Sequence, residues 1–235
     1  MNKVIFFLFY FFGLQWVAAQ EFEGSELLDK AIAYHDPQSK WKTFKGDFTV
    51  TMETPNRPLR KSNIRIDFPA SFFKLEVQQQ GNTLVSTLDN EACHLTFNGA
   101  TDFSESIQKE YRFDCERANF YKNYYTYLYG LPMKLKNPGT LINSKVNKER
   151  IDGKAYWVLK VNYREEVGTD TWYFYFDQNT YALKRYQFYH DESKNDGEYI
   201  VLEGELDING IKMPKNRSWY YNSNDQFLGI DRLTN

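Results

Sequence analysis

Histidine and cysteine are scarce in this chain, three of the one and two of the other among 235 residues. A histidine-rich metal centre is therefore hard to assemble, and two thiols beside His94 do not complete a tetrahedral zinc set. There is no His–Glu–x–x–His pair, nucleophile elbow, phosphate-cradling glycine loop or dinucleotide fingerprint, so no motif implies a cofactor. Beyond the N-terminus no apolar run approaches the ~20 residues that cross a bilayer, which excludes a multi-pass membrane protein. A basic excess is also missing: 29 Lys and Arg face 31 Asp and Glu, for a net charge of −2. That balance argues against nucleic acid and against strongly anionic membrane surfaces. Low-complexity stretches and tandem repeats are absent, and an aromatic content of 18% excludes disorder.

What is present begins with an export signal. Met1–Asn2–Lys3 is short and basic, Val4 to Val17 is almost wholly apolar, and Val17–Ala18–Ala19 supplies small residues before Gln20. This is the pattern of a secretory signal peptide over residues 1–19, followed by one domain over 20–235. No cysteine follows the cleavage position, so a lipid anchor is disfavoured, and no stable membrane insertion is expected after cleavage. The expected location is periplasmic or extracellular. Export puts Cys93 and Cys115 in an oxidising compartment and favours a bridge over two free thiols. The bridge would close a loop of about 22 residues, worth roughly 3 kcal/mol in the chain-entropy model.

Periodicity predicts a helix over Gly24 to His35, capped by Ser25 and ended by Asp36–Pro37. Strands follow at Phe48–Met52, Ile64–Phe68, Phe73–Val77, Leu84–Leu88 and Cys93–Phe97, all read from alternation. Asp114 to Gly130 is the only other convincing helix, with Phe120, Tyr124, Tyr127 and Leu128 on one stripe and Tyr121, Tyr125 and Tyr129 on the next. The last hundred residues read as strands. In one hairpin, pairing Arg185 with Glu203 sets Tyr186 and Phe188 opposite Leu202 and Ile200. The element order predicts a mainly β (α+β) protein built on one large antiparallel sheet with few helices.

Trp172–Tyr173–Phe174–Tyr175–Phe176–Asp177, Tyr181–Ala182–Leu183–Lys184–Arg185–Tyr186 and Ile208–Asn209–Gly210–Ile211–Lys212–Met213–Pro214–Lys215 resemble strand signatures of outer-membrane lipoprotein-sorting (LolA/LolB-like) proteins. With Tyr34–His35–Asp36–Pro37 and Trp41, the layout is also similar to an uncharacterised family of exported bacterial envelope proteins. The resemblance implies a curved, unclosed antiparallel sheet (a half-barrel) with helices packed in its concave face over an apolar cavity. In lipoprotein carriers that cavity shelters acyl chains.

Three groups of residues are candidates for function. Phe120, Tyr124, Trp157, Trp172, Phe174, Tyr186 and Trp219 are either the core of a large sheet or the lining of a pocket for a lipid, acyl chain or lipoprotein. His35 and Asp36 form a polar pair at a helix end, suited to acid/base work or simply to capping a turn. Glu203, Glu205 and Asp207 alternate on one strand, and Glu203 with Glu205 could serve a carbohydrate hydrolase; a solvated outer face is the simpler reading. The leading expectation is a non-catalytic binding protein for a hydrophobic or amphiphilic ligand in the cell envelope. A carbohydrate-active enzyme, a glycan-binding module displaying flat tryptophans, and a structural or protein-interaction domain without a ligand are the alternatives. Phe120 and Tyr124 are expected to face the sheet, near Trp157 and Trp172.

Overall fold

A computed structural model of the chain describes residues 23–235, so the signal-peptide expectation lies outside the described residues. Helix α1 (Gly24–His35) comes first, followed by strands β1 (Lys45–Glu53), β2 (Arg60–Asp67), β3 (Phe72–Gln79), β4 (Asn82–Asp89) and β5 (Ala92–Phe97). Helices α2 (Glu105–Tyr111) and α3 (Cys115–Gly130) interrupt the strands. The chain then runs through β6 (Thr140–Ile151), β7 (Lys154–Tyr163), β8 (Thr171–Asp177), β9 (Leu183–Tyr189), β10 (Glu198–Ile208), β11 (Ile211–Tyr221) and β12 (Phe227–Thr234).

All twelve strands form one sheet in the order β5-β4-β3-β2-β1-β12-β11-β10-β9-β8-β7-β6. Short connections pair each strand with its sequence neighbour, and β1 joins β12 at the centre. The remaining edges, β5 and β6, do not pair with each other, so the sheet stays open. The α2–α3 segment carries the chain from one edge to the other across the concave face. The expected fold class is the one observed.

Alternation dictates which side chains point inward. Phe48, Val50, Ile64, Ile66, Phe73, Leu75, Phe174, Tyr186 and Ile200 are all buried in one hydrophobic cluster, together with Tyr125, Leu128 and Tyr129 of α3. Three ties seat α3. The Cys93–Cys115 disulfide joins its first residue to β5, as expected from the cysteine count. In its middle, Tyr125 Oη donates to Ser62 Oγ at 3.1 Å. At its C-terminal end, Arg217 Nη2 donates to the Leu128 carbonyl at 2.7 Å, with the guanidinium 3.9 Å from the Tyr129 ring centre. Gly130 ends the helix against Trp41, where a Cβ would sit 2.2 Å from the indole.

Several expectations need correction. Ser25 does not cap α1; Glu23 occupies the cap position and makes no side-chain cap bond. A second short helix, α2, was missed because its seven residues offer no apolar stripe, although Ser104 caps it. The β9–β10 register is displaced by two residues: Tyr186 faces Ile200 and Arg185 faces Val201, not Glu203. A two-residue slip preserves inside and outside, so alternation cannot detect it. The connection at residues 190–197 contains a 3-10 turn at Glu192–Lys194. Arg185 instead lies 4.0 Å from the ring centre of Tyr199.

Phe120 is the largest correction. It is 48% exposed, whereas Tyr124 packs on the core and Tyr127, not Phe120, meets Trp172, with ring centres 5.9 Å apart. The broad aromatic stripe wraps the helix, and only part of it fits beneath. Phe120→Ala should therefore cost under about 1 kcal/mol, far from the roughly 3–5 kcal/mol of a packed core phenylalanine. Arg217→Met should cost about 3 kcal/mol or more, since Asp231, its cross-strand partner, would stay buried without the nearest opposing charge. Adding Asp231→Asn should recover part of that loss. Urea unfolding of the single and double variants checks both statements, and a neutral Arg217→Met would refute the anchoring role.

Candidate functional site

The strand ends place the two openings of the half-barrel. At one end, Trp41, Phe44 and Phe68 close the sheet with ring centres 5.1–6.5 Å apart. The other end is defined by the last residues of β1, β7, β9 and β11 and the first residues of β2, β8, β10 and β12. Here the middle of α3 lies at the mouth and leaves a cleft on each side of Tyr124. One, of about 300 Å³, is lined by Met52, Tyr124, Trp219 and Leu228, with Glu198 and Asp231 as its acidic members. The other, of about 460 Å³, runs along Phe120, Tyr124, Tyr127, Tyr163 and Val167.

Beneath the C-terminal half of α3, at Tyr125, Leu128 and Tyr129, the space is filled. Phe174 and Tyr186 are fully buried in the core, and Trp172 is partly buried against Phe188 at 4.8 Å. Open volume therefore sits at the rim of the concave face. Of the seven aromatic candidates, Tyr124 and Trp219 share the first cleft, and Phe120 joins Tyr124 in the second. Trp157 lies towards the opposite end of the sheet, where its indole N–H donates to the Gln178 carbonyl at 3.3 Å.

The mouth is apolar with a few placed polar groups, the usual composition of a small-molecule site. Trp219 Nε1 donates to Asp231 Oδ2 at 3.3 Å. Burial raises the Asp231 carboxyl above its ordinary range against the opposing pull of Arg217, and burial likewise raises Glu198. Tyr124 is held protonated, first by burial and then by Asp231. Across the second cleft the hydroxyls of Tyr127 and Tyr163 share a 2.7 Å hydrogen bond. Met52, Leu228, Glu198 and Asp231 were not singled out from the sequence. Asp231 stands two residues before the buried Leu233 on an alternating strand, which is the one signal that could have placed it inside.

The polar candidates lie elsewhere. His35 is buried at the end of α1, with Nδ1 2.7 Å from the Lys212 carbonyl and Nε2 accepting the Leu183 N–H at 2.9 Å. One nitrogen must donate and the other accept, so the ring is neutral and ties α1 to β9 and β11. Asp36 accepts the backbone N–H groups of Lys40 and Trp41 at 2.7 and 2.8 Å, closing the turn. Both residues are fully engaged in a corner of the fold. Glu205 accepts from Tyr34 Oη at 2.7 Å and pairs with Lys184 at 2.9 Å, while Glu203 is exposed; neither lines the mouth. Among the described residues no group of three metal-ligating side chains is present.

His35 generates a pH prediction. Burial pushes its folded-state pKa down to about 4 from an ordinary 6.5. A depressed pKa contributes stability that is complete above pH 6.5 and lost as pH falls towards 4. The loss should reach about 3 kcal/mol. Unfolding free energies at pH 7 and pH 4.5 should diverge more in the parent than in His35→Gln. Equal slopes would show that the imidazole does not control acid stability.

The architecture is shared with solved structures. A LolA-superfamily protein of Nitrosomonas europaea is 11% identical with a TM-score of 0.50, over 91% of this chain and 92% of that one. A protein of Vibrio parahaemolyticus named for outer-membrane lipoprotein sorting gives 11% and 0.50, over 90% and 91%. At that identity the likeness is one of fold, and the fold is LolA-like. No curated protein matches the chain. A family model of unknown function, DUF6503, matches residues 3–235, and the chain belongs to that family.

Proposed function

We propose that this protein is an exported, non-catalytic binding protein for an amphiphile of the cell envelope, with the apolar part of the ligand held at the rim beside Tyr124. The observation that carries the reading is the mouth itself. An unclosed sheet leaves Met52, Trp219 and Leu228 bordering open volume next to a helix packed into the concave face. A lipid, an acyl chain or the acylated end of a lipoprotein suits such a surface, since apolar area removed from water contributes about 25 cal/mol per Å².

Three further observations support the reading. The Cys93–Cys115 bridge fits an oxidising compartment outside the cytoplasm. No helix among the described residues is long and apolar enough to cross a membrane. The relatives of known fold include one named for lipoprotein sorting. A glycan platform of flat, exposed tryptophans is not favoured, because Trp41, Trp157, Trp172 and Trp219 are all buried or half-buried.

Mature protein should bind a fluorescent long-chain fatty acid saturably and quench Trp219 emission as it does so. Leu228→Glu puts a charge into the cleft from a half-buried position and should weaken binding about tenfold with little change in the urea midpoint. Absence of saturable binding, or a Leu228→Glu variant that binds like the parent, would sink the proposal.

A further inference from the structure

Beside the mouth, on the β2–β4 side of α3, lies a smaller cleft of about 70 Å³. It is lined by Arg60, Arg112 and Arg117, with Tyr121 between them and Asp114 at its edge. Arg60 is half-buried, its guanidinium lies 4.5 Å from the Tyr121 ring centre, and its Nε has no hydrogen-bond partner. Arg117 also lies over the same ring, at 4.6 Å from its centre, and donates from Nη2 to Tyr121 Oη at 3.2 Å. Among the described residues none of the three arginines has a carboxylate within ion-pair distance. Asp114 is committed to capping α3, accepting the Arg117 N–H at 2.7 Å.

Three guanidinium groups and one carboxylate leave the cleft with two uncompensated positive charges in a chain that is negative overall. Like charges gathered on apolar walls such as Val77, Leu84 and Phe113 repel one another, and the arrangement is relieved by an anion. Guanidinium forks match a phosphate in geometry as well as charge. The volume is enough for a small oxyanion or about two waters, and not for an acyl chain.

We propose that Arg60, Arg112 and Arg117 form an oxyanion subsite that binds a phosphate group, carried by the amphiphile whose chain occupies the neighbouring mouth. The two sites adjoin: Met52, on the wall of the apolar cleft, is the cross-strand partner of Arg60. Tyr121 and Tyr124 stand one helical turn apart on α3. The Cys93–Cys115 bridge holds the segment that presents Arg112 and Arg117 against β5. This inference rests on the amphiphile reading only for the molecule that carries the phosphate.

Calorimetric titration of the mature, oxidised chain tests it, with dodecyl phosphate, dodecyl maltoside and inorganic phosphate as the probes. Dodecyl phosphate should bind about tenfold or more tightly than the neutral maltoside. The double variant Arg112→Gln/Arg117→Gln changes an exposed and a half-buried residue, leaves the core in place and should abolish that preference. Added salt should erode it in the parent. A double variant with an unchanged urea midpoint that still prefers dodecyl phosphate overturns the subsite while leaving the apolar mouth standing. If neither amphiphile binds, the amphiphile reading fails and inorganic phosphate decides. Saturable phosphate binding that disappears in the double variant then identifies a free-phosphate site, and no phosphate binding overturns the proposal.

Discussion

The seating of α3 in the open sheet is the constraint on which the rest depends. A twelve-stranded antiparallel sheet that curves without closing has one face that must be covered, and residues 98–139 supply the cover together with α1, whose Leu27, Leu28 and Ala31 join the same core. The helix is tied at its start by a disulfide, in its middle by Tyr125 and at its end by Arg217. Each tie reaches a different strand, so the sheet's curvature and the helix's position reinforce each other. Hydrophobic burial supplies the bulk of the stabilisation, and the polar ties select one orientation of a helix that is aromatic nearly all round.

That choice of tyrosine over leucine has consequences at the mouth. A tyrosine can bury its ring and keep its hydroxyl at a polar edge, so one helix can serve as core on one side and as a wettable rim on the other. Tyr129 and Tyr125 take the first role, while Tyr121 takes the second beside Arg117. The buried Arg217, facing Asp231 across β11 and β12, is the counterpart within the sheet.

Charge is divided along the rim. Glu198 and Asp231 stand on the β10–β12 side, and the three arginines on the β2–β4 side, with the apolar wall of Met52, Tyr124 and Trp219 between. The chain's near-neutral total conceals this separation. An elongated ligand lying across the mouth would meet a different chemistry at each end.

Much of this was readable in the sequence, for identifiable reasons. Strict alternation at Phe48–Val50–Met52 and Ile64–Ile66 determined which faces turn inward, and the Gly130–Leu131–Pro132 stop determined where α3 ends. The cysteine count favoured a bridge over two free thiols, and the structure forms it between Cys93 and Cys115. Local pattern could not choose between registers two residues apart, because both keep Tyr186 and Ile200 inside; the fold pairs Tyr186 with Ile200. Nor could it show that Phe120 lies outside while Tyr124 and Tyr127 lie against the core, since the whole stripe looks equally apolar and only the sheet's curvature limits how much fits. The arginines at 60, 112 and 117 come from three separate elements, and nothing in their spacing relates them. Only the crossing of α3 over the ends of β2–β4 brings their charges together, because proximity in space is a property of the fold and not of the chain.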